Sequence, residues 1–142
     1  MSSETLNPTT IPTPNNIDTG LACLVMLARF HSIAVDPHQI AHEFKETGKS
    51  FTTTEILLAA KKLGLITKKV KPQLSRLATT PMPAVAAAKD GSFFIIARMD
   101  GDKVLIHDPT VERPEIISQE QLAARWSGEM ILFSSRASLA GE

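Results

Sequence analysis

The chain has 142 residues, 43% hydrophobic and 21% charged, with 15 basic and 15 acidic side chains and a formal net charge of zero. That is one domain's worth of chain, and balanced charge provides no whole-molecule field to draw in nucleic acid or an anionic surface. The single Cys excludes an internal disulfide and any multi-cysteine metal site, and the longest strongly apolar run, residues 20–28, falls far short of the ~20 residues that cross a bilayer.

Residues 1–16 are Ser, Thr, Pro and Asn with almost no aliphatic content, which predicts a flexible tail without the basic flank and apolar run of a secretion signal. The stretch NIDTGLACL then enters a helix that runs to His31 with Arg29 as its sole charge. A helix apolar on nearly every face is expected in the middle of a domain. Asp36-Pro37-His38-Gln39 opens a second helix, with Asp36 as cap and Gln39 reaching back, and with Ile40 and Phe44 as its buried stripe. Thr52-Thr53-Thr54-Glu55 forms a capping box for a third, and Phe51 can staple onto Ile56. Ile56, Leu57, Ala60 and Leu63 repeat at helical spacing before Gly64, a left-handed stop.

Beyond Gly64 the apolar period falls from helical to two. Residues 66–71 predict a strand and 73–77 a short helical turn. The runs 84–88, 93–99 and 103–107, separated by Lys89-Asp90-Gly91-Ser92 and Asp100-Gly101-Asp102, predict an antiparallel meander. Ser118-Gln119-Glu120-Gln121 caps a last short helix through Trp126, and residues 129–133 predict a final strand. Helices first and antiparallel strands after define an α+β class. Cysteine proteases are built on such a frame: the nucleophile sits at the mouth of the central helix, and base and orienting acid come from neighbouring strands.

Thr19 stands at that helix mouth, but a Thr hydroxyl needs a strong base beside it; capping, alone or with Asp18, is the simpler role. Cys23, one turn further in, has the place of a small buried hydrophobe with an inert thiol. His38 and His42 have the i, i+4 spacing of a metal pair without a third ligand, and are expected to face solvent. His31 ends the first helix, where a cation suits the dipole. His107 and Asp108, adjacent on an extended chain, point to opposite faces. From Glu55 to Asp90 no acid intervenes while Lys61, Lys62, Lys68, Lys69, Lys71 and Arg76 accumulate. This stretch is either a solvated face or a patch for an acidic partner; nucleic acid as that partner has only weak support, since no aromatic residues interleave.

The segments Asp18-Thr19-Gly20-Leu21-Ala22-Cys23-Leu24, Phe30-His31-Ser32 and Val35-Asp36-Pro37 resemble the start of C39 peptidase domains. The likeness continues through Thr53 to Gly64, Pro83-Ala84-Val85, Asp90-Gly91-Ser92-Phe93-Phe94 and Ile106-His107-Asp108-Pro109. It covers about residues 16–136 and implies a papain-like fold for a domain spanning 17–136, with 137–142 starting a linker to a membrane domain outside this chain. In active members Cys-Gly-x-x-Cys begins the first helix, and its first Cys is the nucleophile. Thr19 occupies that place and Cys23 matches the second Cys. The catalytic His falls at Phe93, the orienting Asp is kept as Asp108, and no Gln precedes Gln39 to serve the oxyanion. The resemblance is thus to degenerate C39-like domains of type I secretion ABC transporters of the haemolysin-exporter kind. It implies a non-cleaving domain on the cytoplasmic face of the bacterial inner membrane, bound to unfolded RTX-type cargo (toxin, enzyme or adhesin) and to the rest of a membrane-embedded transporter. ATP belongs to another domain of that parent, and no metal or cofactor to this one. Acidic cargo repeats point to Lys68, Lys69, Lys71 and Arg76 as contacts, and Phe93 is expected to pack near Thr19 and Asp108, closing the old cleft. Two alternatives stand beside this: an active C39 peptidase cleaving double-glycine leaders through Cys23 or an unconventional base, and a docking module for another transporter component.

Overall fold

Asp18 starts the first helix by accepting from the Leu21 N–H at 3.2 Å, and its carboxylate also accepts from the Phe51 N–H at 3.1 Å. The computed structural model describes residues 17–44 and 49–135, so the predicted tail 1–16 and linker 137–142 lie outside the described residues. Helices α1 (Thr19–Phe30), α2 (Pro37–Phe44) and α3 (Thr53–Lys62) come first, then strand β1 (Leu65–Val70) and a 3-10 turn (Leu74–Thr79). Strands β2 (Ala84–Ala88), β3 (Phe93–Asp100), β4 (Lys103–His107) and β5 (Glu115–Ser118) follow, then helix α4 (Gln119–Arg125) and strand β6 (Trp126–Ser135). No described helix is long and apolar enough to cross a membrane.

The six strands form one antiparallel sheet in the order β1-β6-β2-β3-β4-β5, so the last strand returns to the middle and leaves β1 and β5 as edges. Strand alternation divides the core in two. Phe93 and Ile95 join Cys23, Leu24, Leu27, Ile56 and Ala60 under the three helices. Phe94 and Ile96 join Leu77, Leu122, Trp126 and Met130 on the other face, beneath α4 and the 3-10 turn.

The predicted caps are present, except that Gln39 makes no hydrogen bond back to its cap among the described residues. Asp36 accepts from the His38 N–H at 2.9 Å, the Thr52 N–H donates to Glu55 at 2.7 Å, Ser118 and Gln121 close a capping box on α4, and Gly64 ends α3 at φ +88°. The structure departs from the sequence pattern in three places. Helix α1 is not enclosed on all sides: Gly20, Cys23, Leu24, Val25, Leu27 and Ala28 are buried, but Leu21 and Met26 are half-buried and Phe30 is 61% exposed, because α1 has the sheet on one side only. Strand β6 begins at Trp126, earlier than residues 129–133 suggest, and β5 was not legible at all.

Gly20 lies where α1 comes closest to its neighbours. A Cβ there would meet the Phe51 carbonyl oxygen at 2.8 Å, Phe51 Cβ at 3.0 Å and Phe93 Cδ2 at 3.2 Å. In an open helix Gly→Ala gains about 1 kcal/mol. Here the contact is with backbone and the sign reverses: Gly20→Ala should lose about 1–3 kcal/mol of unfolding free energy in a urea titration, the range of an overpacked core.

Candidate functional site

The first turn of α1, the loop ahead of α3, the turn 89–92, the end of β4 and the end of α4 converge on one cleft of about 550 Å³. Thr19, Ser50, Lys89, Asp90, Ser92, Asp108, Thr110 and Arg125 give it a polar lining.

Thr19 is not the cap; Asp18 does that work. The Thr19 hydroxyl instead crosses to the sheet, where its Oγ1 accepts from the Phe93 N–H at 2.9 Å. The two positions that the resemblance assigns to nucleophile and base are therefore neighbours. The Phe93 ring, however, does not close the cleft. As the first residue of β3 it projects to the helix face, where it is 7% exposed and packs against α1 and Phe51, so the cleft stays open and polar.

Asp108 is held by other partners. It accepts from the Thr110 N–H at 2.9 Å and the Thr110 hydroxyl at 2.7 Å, and its other oxygen accepts from Arg125 Nη2 at 2.8 Å. Burial works to raise the Asp108 pKa, but the Thr110 hydrogen bonds and the Arg125 charge outweigh it and hold the carboxyl below its ordinary range. The guanidinium also lies 4.6 Å from the Phe94 ring centroid, a cation–π contact that fixes it over the second core. Arg125 is the site residue that sequence reasoning missed: nothing local connects it to a carboxylate 17 residues away.

Cys23 is fully buried, and burial, reinforced by the charge of Asp108, pushes its thiol far up. His38 and His42 are exposed, and no group of three or more His, Cys, Asp or Glu suited to a metal occurs among the described residues. His107 stands opposite Ile95, outside the cleft lining. His31 does not suit the cation expected at the end of α1: burial lowers its pKa, and its Nε2 has no hydrogen-bond partner.

The basic stretch does not form a single face. Along β1, Lys68 lies opposite Leu132 and Lys69 opposite Ile131, which puts them on opposite sides of the sheet. Lys62 pairs with Glu43, and Lys71 Nζ lies 3.9 Å from Glu129. Lys61 is exposed on α3, and Arg76 lines a groove that also contains Leu132, on the Lys68 side.

The sequence model of the peptidase C39 family matches residues 9–138. The chain belongs to this family. It is 39% identical over 127 residues to the leukotoxin translocation ATP-binding protein of Mannheimia haemolytica, covering 88% of this chain and 18% of that one. It is 38% identical over 123 residues to the cyclolysin secretion/processing ATP-binding protein of Bordetella pertussis, covering 85% and 17%. The C39 chain thus spans less than a fifth of the length of these relatives. Among solved structures it superposes with a TM-score of 0.74 on the N-terminal peptidase C39 like domain of the toxin secretion ATP-binding protein from Vibrio parahaemolyticus, at 20% identity and covering 84% and 98% of the two chains. That likeness agrees with the α+β, papain-like fold expected from the sequence.

The Asp108 carboxyl is depressed in the folded state, so its stabilisation is present above the unfolded value near ~3.9 and is lost as pH falls through the lower folded value. Wild type should exceed Asp108→Asn by about 1–2 kcal/mol at pH 7, discounted for partial exposure. In urea titrations run from pH 7 down to 2, that gap should close below about pH 4.

Proposed function

We propose that this C39 domain is a non-cleaving part of a type I secretion ABC transporter and holds unfolded RTX-type cargo at the cytoplasmic face of the membrane. The carrying observation is the hydrogen bond from the Phe93 N–H to the Thr19 hydroxyl in a cleft whose described lining includes neither thiol nor imidazole. Acyl transfer needs an activated nucleophile and a base within reach. Here the hydroxyl is engaged by a backbone amide, the base position carries a phenyl ring, and the carboxylate that would orient a base is committed to Arg125. Cleavage through Cys23 would require a buried thiolate, which desolvation opposes. The 38–39% identity to proteins named for leukotoxin translocation and cyclolysin secretion supports the transporter assignment. ATP hydrolysis then belongs to another domain of the parent.

Two measurements test this. Double-glycine leader peptides incubated with the domain should remain intact by mass spectrometry; cleavage that Cys23→Ala abolishes would favour a peptidase. In calorimetric titration an RTX-repeat segment should bind when calcium is chelated and not when calcium folds it. Equal affinity for both forms would remove the cargo-holding role.

A further inference from the structure

We infer that the free edge of β1 is where the cargo is held, as an added strand of acidic, extended chain; this rests on the cargo-holding function proposed above. Strand β1 ends the sheet, and β6 is its one partner strand among the described residues. An edge strand presents unpaired N–H and C=O groups that template another chain. Main-chain pairing of this kind takes any extended sequence and rejects one already folded, so selectivity for an unfolded partner follows from the edge itself.

The side chains specify the charge of that partner. Lys68 and Lys69 are exposed on β1, and neither they nor Arg76 make an ion pair among the described residues. Like charges set opposite one another destabilise strand pairing, so these lysines oppose a second copy of β1 and favour an acidic strand. They stand on opposite faces, which lets them meet successive acidic side chains of an added strand rather than one acid twice. On the Lys68 face a groove of about 500 Å³ opens at the end of β1, walled by Val70, Pro72, Arg76, Thr80, Pro81 and Leu132. Arg76 is the one charged residue in that lining, and the apolar walls offer a seat for the side chains between the acids. No acid lies in sequence between Glu55 and Asp90 to oppose this arrangement.

The test uses the 142-residue chain and a fluorescein-labelled decapeptide repeating Val-Val-Asp-Asp, which sets acids alternating with Val on both faces of a strand. It is compared with the same peptide N-methylated on alternate amides and with a version carrying Lys for Asp. In fluorescence anisotropy the acidic peptide should bind, and the calcium-free RTX-repeat segment should displace it. The N-methylated and basic peptides should bind at least about tenfold more weakly, as should the acidic peptide to the Lys68→Glu, Lys69→Glu double variant, whose two reversed exposed charges sum to that order. Both positions are solvent-exposed, and a circular-dichroism melt checks that the variant stays folded. Equal binding of the N-methylated peptide would overturn the added strand. An unchanged double variant would overturn the charge recognition. Dimerisation that excludes the acidic peptide would assign the edge to a second copy and also overturn the proposal. Cargo segment that binds wild type and double variant alike would move the site off β1 while leaving the cargo-holding function standing. Cargo that binds neither would remove that function, and the edge site with it.

Discussion

The close approach of the first turn of α1 to the start of β3 is the constraint on which the domain is built. Three consecutive residues make it possible. Asp18 caps the helix and ties it to the Phe51 N–H, Thr19 accepts from the Phe93 N–H, and Gly20 removes the side chain that would collide with Phe51 and Phe93. With the helix seated at that distance, Cys23, Leu24 and Leu27 reach the apolar face that Phe93, Ile95 and Ile131 offer from the sheet. A buried N–H left unpaired costs about 1–3 kcal/mol, so the Thr19 bond is a condition of this seating.

A catalytic nucleophile and base would need the same proximity, and in this chain the approach holds structure together. The hydroxyl binds a backbone amide, and the phenyl ring at the base position has turned into the core. Asp108 illustrates the same exchange. Its carboxylate forms an ion pair with Arg125, which in turn lies on Phe94, so that α4 is fastened to the end of β4. Between these groups is an open polar cleft whose described lining includes neither thiol nor imidazole, while the edge of β1 and its basic side chains lie on another element of the sheet.

Local chemistry was legible in the sequence. The Thr52–Glu55 and Ser118–Gln121 boxes, the Gly64 stop and the strands 84–88 and 103–107 depend on residues within a few positions of one another, and all are present. What could not be read depends on distant partners. Strand β5 is four residues long and exists by pairing with β4, and the Asp108–Arg125 pair forms once β5 and α4 have folded back. The basic stretch looked continuous as text, but a period of two sends Lys68 and Lys69 to opposite faces. The same alternation directs Phe93 into the core and leaves the cleft open.

The Thr19 hydroxyl, bonded to the Phe93 N–H, is proposed to serve the fold and not a reaction. The direct measurement compares wild type with Thr19→Val, which keeps the shape and removes the hydroxyl, in both urea unfolding and leader-peptide hydrolysis. Thr19→Val should lose about 1–2 kcal/mol, from the Phe93 N–H left without its acceptor, and neither protein should hydrolyse the peptide. A Val variant as stable as wild type, together with hydrolysis by wild type that Val abolishes, would contradict it.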